Sequence, residues 1–270
     1  MIFKFNKVTL YLTLILIMSS FSTYARSLEG QTIRVCDDGA EWPPYTYFLR
    51  ENGVKTDKVV GFSVDVVNSI LEGEYKAKVI YKLPPWKRCL RELAQGRYDL
   101  AMNSSYNKER AKTYTLTLPY YKVTPSYIFF KGDYPNNDDG PDIKKSSDFS
   151  KYIVCGLRGY NYEDFNMDVS IINSNASTFK QAFAKLRYKR CNLILARIEI
   201  LRGFKFLDQD YLTGAFGYRQ NPGSEASQFT MLISKESPYH DQLKSALDQG
   251  IQKLKDTGKL KKMLNRYLYD

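Results

Sequence analysis

The chain has 270 residues and a formal charge of +11, with 40 Lys and Arg against 29 Asp and Glu. Such an excess could serve nucleic acid, an anionic surface or an anionic ligand, but the basic residues are spread out. The densest cluster, Lys253, Lys255, Lys259, Lys261 and Lys262, has the spacing of a solvated helix face. With one histidine, no Ser-His-Asp order, no metal-ligand cluster and no phosphate loop beyond a lone glycine turn, the sequence predicts no catalytic residue, no metal and no cofactor.

Lys4 and Lys7 precede an apolar run, Val8–Met18, and a small-residue segment ending in Thr23-Tyr24-Ala25. That pattern predicts a secretory signal peptide over residues 1–25, cleaved after Ala25. The run of eleven residues is well short of the roughly 20 of a membrane-spanning helix. No cysteine follows the cleavage site and no later stretch is long and apolar enough to span a bilayer. A soluble mature chain, exported to the periplasm of a Gram-negative bacterium and without a lipid anchor, is expected. Losing Lys4 and Lys7 takes the charge from +11 to about +9. Export argues against nucleic acid as a partner and leaves the charge as a pointer to acidic ligands.

In chain order, Thr32–Cys36 reads as a strand ending in Asp37-Asp38-Gly39, followed by a proline-stiffened loop, Ala40 to Tyr45. Gly61-Phe62-Ser63-Val64-Asp65 opens an amphipathic helix with Val64, Val67, Ile70 and Leu71 on one face. Ala77–Lys82 is a second strand, and Pro84-Pro85-Trp86 leads into a helix with Cys89, Leu90 and Leu93 inward. Tyr98–Met102 is a third strand, so this half alternates strand and helix as a parallel α/β unit. Tyr114–Pro119 returns toward the surface, Tyr127–Phe130 reads as an extended crossing, and 135–141 is a polar loop.

The order then repeats. Tyr152–Cys155 is a strand, and Gly156 to Tyr162 a glycine turn entering a helix, with Asn161 and Asp164 as a capping pattern. Val169–Ile172 is a strand, Thr178–Arg187 a helix and Asn192–Ala196 a strand. Gly217–Ser227 is polar, and Phe229–Ser234 reads as a second crossing. Apolar residues from Leu243 to Leu268 recur at helical spacing, with a break at Gly258. Two similar α/β lobes joined by two crossings imply a hinge and an interlobe cleft suited to a small ligand. The lobes are expected over 26–121 with 223–270, and over 122–222. In an oxidising compartment Cys36, Cys89, Cys155 and Cys191 allow two disulfides in three pairings. Pairing within lobes, Cys36 with Cys89 and Cys155 with Cys191, fits this organisation. Buried free thiols are the alternative.

The stretch Tyr98–Arg110 carries the most chemistry. A buried strand ends in Asn103, Ser104 and Ser105, and Arg110 follows with a planar fork suited to a carboxylate. Ligands bind at the carboxyl ends of strands in open α/β sheets. A simple turn with a solvated arginine is the plainer alternative.

These residues together resemble a known family. Pro43-Pro44-Tyr45, Gly61-Phe62-Ser63-Val64-Asp65, Gly96-Arg97-Tyr98-Asp99, Ser105 with Glu109-Arg110, Leu118-Pro119-Tyr120, the Gly159 turn and Gly258-Lys259-Leu260 stand in the order seen in type 2 periplasmic solute-binding proteins of the polar amino-acid ABC-transporter branch. The resemblance implies capture of a small carboxylate-bearing ligand by lobe closure and delivery to a membrane ABC permease or sensor. The protein is expected to be a monomer. Carried over, the aromatic walls fall on Trp42, Tyr45 and Trp86, the carboxylate donors on Asn103 and Ser105, and the carboxylate-binding arginine on Arg110. Gly159, Tyr160 and Asn161 would turn helix N-terminal N–H groups toward the cleft.

One position departs from the pattern. Where amino-acid receptors of this kind place an ammonium-binding aspartate, this chain has Arg197. A second cleft arginine would favour an acidic or dicarboxylate ligand. Alternatively, Glu199 takes that place, or Arg197 faces solvent and Asp37, Asp38 or Glu41 holds the ammonium. A few exported dehydratases acting on cyclic carboxylates share this fold. Glu41 or Glu199 would be their acid or base here.

Overall fold

The computed structural model describes residues 27–134, 140–212 and 214–268. The expected signal peptide and the segment 135–139 of the polar loop lie outside them. The first stretch runs β1 (Thr32–Cys36), β2 (Tyr47–Glu51), β3 (Val54–Val60), α1 (Phe62–Val67), β4 (Lys78–Lys82), α2 (Trp86–Ala94), β5 (Leu100–Ser105), α3 (Lys108–Thr113), β6 (Tyr114–Leu116) and β7 (Tyr121–Val123). The second runs β8 (Pro125–Phe130), β9 (Val154–Leu157), β10 (Ile172–Ala176), α4 (Phe179–Arg187), β11 (Leu193–Arg197), α5 (Ile198–Gly203) and β12 (Phe216–Gln220). The chain ends in β13 (Ser227–Ser234), α6 (His240–Asp256) and α7 (Lys259–Leu268).

The strands build two sheets of the same design. In the first the order is β4-β1-β5-β13-β6, with β7 also on β13. β1 is parallel to β4 and β5, and β13 is antiparallel to β5. In the second the order is β10-β9-β11-β8-β12, with β9 parallel to β10 and β11, and β8 antiparallel to β11. β5 is buried along its whole length, as a strand covered on both faces should be. Trp86, Cys89 and Leu93 put one face of α2 inward, and α1 continues through Glu74 as a wide turn that buries Ile70 and Leu71.

Four local expectations change. Phe229–Ser234 is not a crossing but part of β13, a lobe 1 strand, and Tyr127–Phe130 belongs to β8 inside lobe 2. The chain crosses instead at Thr124 and over 221–226. There Glu199 accepts hydrogen bonds from the Thr124 N–H (2.8 Å) and Oγ1 (2.7 Å), and the Asn221 N–H reaches the Pro125 carbonyl (3.0 Å). No helix follows the Gly159 turn: a three-residue 3-10 turn, Glu163–Phe165, ends at Asn166 in the left-handed region. Asp168 accepts from the Ser170 N–H (2.9 Å) and bends 169–171 into another such turn, so the strand expected there starts at Ile172. The β2–β3 hairpin was missed because most of β3 is polar and exposed, although Asn52-Gly53 at its turn, both at positive φ, is a hairpin signal.

Both disulfides join residues within a lobe, Cys36 to Cys89 and Cys155 to Cys191, across 53 and 36 residues. Closing loops of that length constrains the unfolded chain by about 4 kcal/mol each. Gly61 precedes α1 at φ +129°, and a Cβ there would sit 2.4 Å from the Tyr45 carbonyl oxygen. Gly61→Ala is therefore expected to lower stability by at least ~2 kcal/mol, through a φ that L-residues avoid and a clash with rigid backbone. Urea denaturation of the purified protein checks it.

Candidate ligand-binding cleft

The carboxyl ends of β1 and β5 meet at Asn103. Its φ is +56°, a conformation asparagine tolerates, and its buried amide connects four segments of lobe 1. Nδ2 donates to Asp37 and to Thr46 Oγ1 (2.7 Å), while Oδ1 faces the hydroxyls of Ser63 (2.6 Å), Tyr120 and Tyr121 (both 2.9 Å). Tyr121 also accepts from Trp42 Nε1 (3.1 Å), which fixes the plane of that indole. Asn103 borders the cleft, but its side chain is spent on this network.

Asp37 and Asp38 follow β1, and the Cys36–Cys89 bridge holds them beside Trp86 at the start of α2. Burial pushes the Asp37 carboxyl up to about 7, against hydrogen bonds from the Asp38 N–H, Thr46 and Asn103. Burial also raises Asp38, which accepts from the Ala40 N–H (3.0 Å) and from the Tyr160 hydroxyl (2.8 Å).

Asn107 caps α3 by accepting from the Arg110 N–H (2.7 Å), which turns the Arg110 side chain back toward the end of β5. Arg110 Nη1 donates to Ser104 Oγ and the Ser105 carbonyl, each at 3.0 Å, and the Trp86 ring lies 5.6 Å away. Among the described residues no carboxylate pairs with this buried cation. Burial, and then the charge of Arg197, lower its pKa to about 10.

Lobe 2 contributes the end of β11 and the turn after β9. Arg197 is buried, and its Nη2 donates to both Asp164 oxygens (2.9 Å) and to the Asn161 carbonyl (3.1 Å). Its guanidinium sits between Phe165 and Phe229, 5.0 Å from each ring, and its Nε has no partner. Besides the Tyr160 bond to Asp38, Asn161 Nδ2 reaches Ser105 Oγ (3.0 Å) and the Tyr106 carbonyl (2.8 Å), so the lobes are latched. Trp42 meets the Tyr160 ring edge at 5.3 Å and stacks on Phe229 at 5.8 Å.

Trp42, Trp86, Asn103, Ser105, Arg110, Tyr160, Asn161 and Arg197 thus line one cavity, together with Asp37, Asp38 and Phe229. The space left is about 30 Å³, room for no more than a few waters. This is a closed arrangement, and a ligand of amino-acid size enters only when the lobes part. An outer groove of about 480 Å³ adjoins it at Arg110, Tyr160 and Asn161.

Several expected residues lie elsewhere. Tyr45 is in the core of lobe 1, stacked on Tyr121 at 3.9 Å. Gly159 borders only the outer groove, packed under Lys87. With no helix after Gly159, that turn brings no helix N-terminus to the cleft. Glu41 is held by Arg50 and the Phe48 N–H, Glu199 by Thr124, and His240 by Thr115 and Asp241. Phe229 had no local signal, because it arrives on β13 from the far end of the chain.

Residues 33–270 match the bacterial extracellular solute-binding proteins, family 3. The chain belongs to that family. Its lobes, hinge and interlobe cleft are the type 2 periplasmic binding-protein architecture. This family 3 protein is 24% identical over 234 residues to "Probable amino-acid-binding protein YxeM" of Bacillus subtilis (strain 168), covering 85% of this chain and 82% of the relative. Over 98 residues, 36% of this chain and 34% of the relative, it is 31% identical to cyclohexadienyl dehydratase of Pseudomonas aeruginosa. In structure it is similar to an ABC uptake transporter substrate binding protein from Streptococcus pneumoniae with bound histidine. The TM-score is 0.71 at 18% identity, covering 93% of this chain and 98% of the other.

Asp37 makes stability depend on pH. The folded state keeps a proton on it up to about 7, whereas the ordinary value is 3.8, so between these values the folded state binds the additional proton. Stability from this group is full below about pH 4 and is lost as pH rises through about 7. Chemical denaturation is expected to show a midpoint falling between about pH 4 and pH 7, and Asp37→Asn to remove most of that fall.

Proposed function

We propose that this family 3 protein is an exported, periplasmic solute receptor. It captures a small carboxylate-bearing amino-acid ligand by lobe closure and presents the closed form to an ABC permease or sensor. It works as a monomer and performs no chemistry. The observation that carries this reading is Arg110, a buried guanidinium with two serine partners and, among the described residues, no acid, facing a cavity walled by Trp42, Trp86 and Tyr160. A buried cation without a counter-charge favours an anionic partner, and the guanidinium fork suits a carboxylate. Aromatic walls suit a ligand's carbon skeleton. Names of relatives and structural neighbours that include amino-acid-binding proteins agree with this ligand class.

The acidic or dicarboxylate variant of this reading has less support. Arg197 borders the cavity, but Asp164 already neutralises it. The dehydratase alternative rests on the partial likeness to cyclohexadienyl dehydratase and on Asp37, a cavity carboxyl held near neutral pH. The two acids first expected to serve it, Glu41 and Glu199, are bonded away from the cavity. Loss of a cyclohexadienyl carboxylate on incubation with the protein would favour that alternative over capture alone.

The direct test is a thermal-shift screen of residues 26–270 against amino acids, dicarboxylates, keto acids and small sugars. A ligand at a hundred times its Kd adds ~2.7 kcal/mol of stability, an easily read shift. Arg110→Ala is expected to weaken binding of any compound that scores by more than ~2 kcal/mol. Unchanged affinity in a folded variant would refute the site.

A further inference from the structure

The charges of the cleft divide unevenly between the lobes. On lobe 2, Arg197 and Asp164 form a two-oxygen ion pair, and Arg197 occupies the position where the family resemblance would place an ammonium-binding aspartate. Lobe 2 therefore brings the cavity a neutral surface. On lobe 1, Arg110 has no acid partner, and two carboxyls face the same cavity. Asp37 is committed to its own lobe through the Asp38 N–H, Thr46 and Asn103. Asp38 differs: besides the Ala40 and Trp86 N–H groups of its own lobe, it accepts from the hydroxyl of Tyr160, a lobe 2 residue. When the lobes part, Tyr160 leaves with lobe 2 and Asp38 loses that partner.

We infer that lobe 1 alone reads both charges of a zwitterionic α-amino acid: Arg110 takes the carboxylate, and Asp38 takes the ammonium in exchange for the Tyr160 hydroxyl. This rests on the carboxylate role of Arg110 proposed above and deepens it. An opened lobe 1 presents one cation and one anion at the same cavity, a charge pattern that a zwitterion complements and a dianion does not. The ammonium brings Asp38 a hydrogen bond together with an opposite charge, which the Tyr160 hydroxyl it replaces lacks. Lobe 2 then closes over the bound molecule with neutral and aromatic groups. Asn161 to Ser105 and Tyr106 remains as a latch that does not involve Asp38.

The experiment is isothermal titration of the mature protein with a panel of L-amino acids, each beside the acid lacking the α-amino group, for wild type, Asp38→Asn, Arg110→Ala and Tyr160→Phe. The wild type should bind at least one amino acid at least about tenfold more tightly than its deaminated counterpart. Asp38→Asn should lose about a hundredfold on that amino acid, as a buried charge loses its partner, and change little for the deaminated acid. Tyr160→Phe keeps the aromatic wall and removes the hydroxyl that competes for Asp38, so it should bind the amino acid more tightly than wild type. Wild-type binding that ignores the α-amino group overturns the inference without any variant. Amino-acid affinity kept by Asp38→Asn but lost by Arg110→Ala overturns the Asp38 role and leaves the proposed function standing. A wild type that binds no amino acid or carboxylate overturns both.

Discussion

The buried amide of Asn103 is the interaction on which the lobe 1 side of the cleft depends. A strand end cannot by itself hold loops from distant parts of the chain in register. Asn103 does so because one side chain offers both donors and acceptors. It joins the end of β1 through Asp37, the proline loop through Thr46, the start of α1 through Ser63, and the approach to the hinge through Tyr120 and Tyr121. Tyr121 carries the same order to Trp42. A satisfied buried network of this kind rigidifies its surroundings, whereas a partly satisfied one would cost stability. Asn103 was legible from the sequence as a site residue, and its side chain serves as a scaffold.

Around that scaffold the charges obey one rule: a buried charge needs a partner. Arg197 has Asp164, and the buried Glu41 has Arg50. Arg110 is the exception, with only neutral partners within its lobe. The proposed carboxylate-binding role rests on that exception. The latches made by Tyr160 and Asn161 show how the lobes stay together with little space between them. Their lobe 1 partners, Asp38 and Ser105, stand next to that exception in the same cavity.

Much of this was readable in one dimension. The apolar runs of β1, β5, β9 and β11, the helical spacing of α2 and α4, and the strand-end position of Asn103, Ser105 and Arg110 are local patterns, so the alternation of elements and the two-lobe design followed from them. The lobe assignment in turn favoured the disulfide pairing that the structure contains. Both tryptophans reached the cleft as the resemblance implied. Tyr45 did not, although it lies in the same loop, because an irregular backbone gives no period from which a side chain's direction can be read. Its ring turned inward to stack on Tyr121.

The sequence by itself determined most of the order of strands and helices, the family to which the chain belongs and the presence of an arginine just after a cleft strand, because periodicity and short motifs act over a few residues. Tertiary structure alone decided which charges are free. Arg197 stands two residues from Glu199 in sequence, but its partner Asp164 is 33 residues away. Asp38 meets Tyr160 across 122 residues and two lobes. Phe229 reaches the cavity because β13 returns to pair with β5 after the chain has built the whole of lobe 2. Ion pairing and burial depend on what surrounds a group in space, and that is set only when the sheets have formed and the lobes have closed.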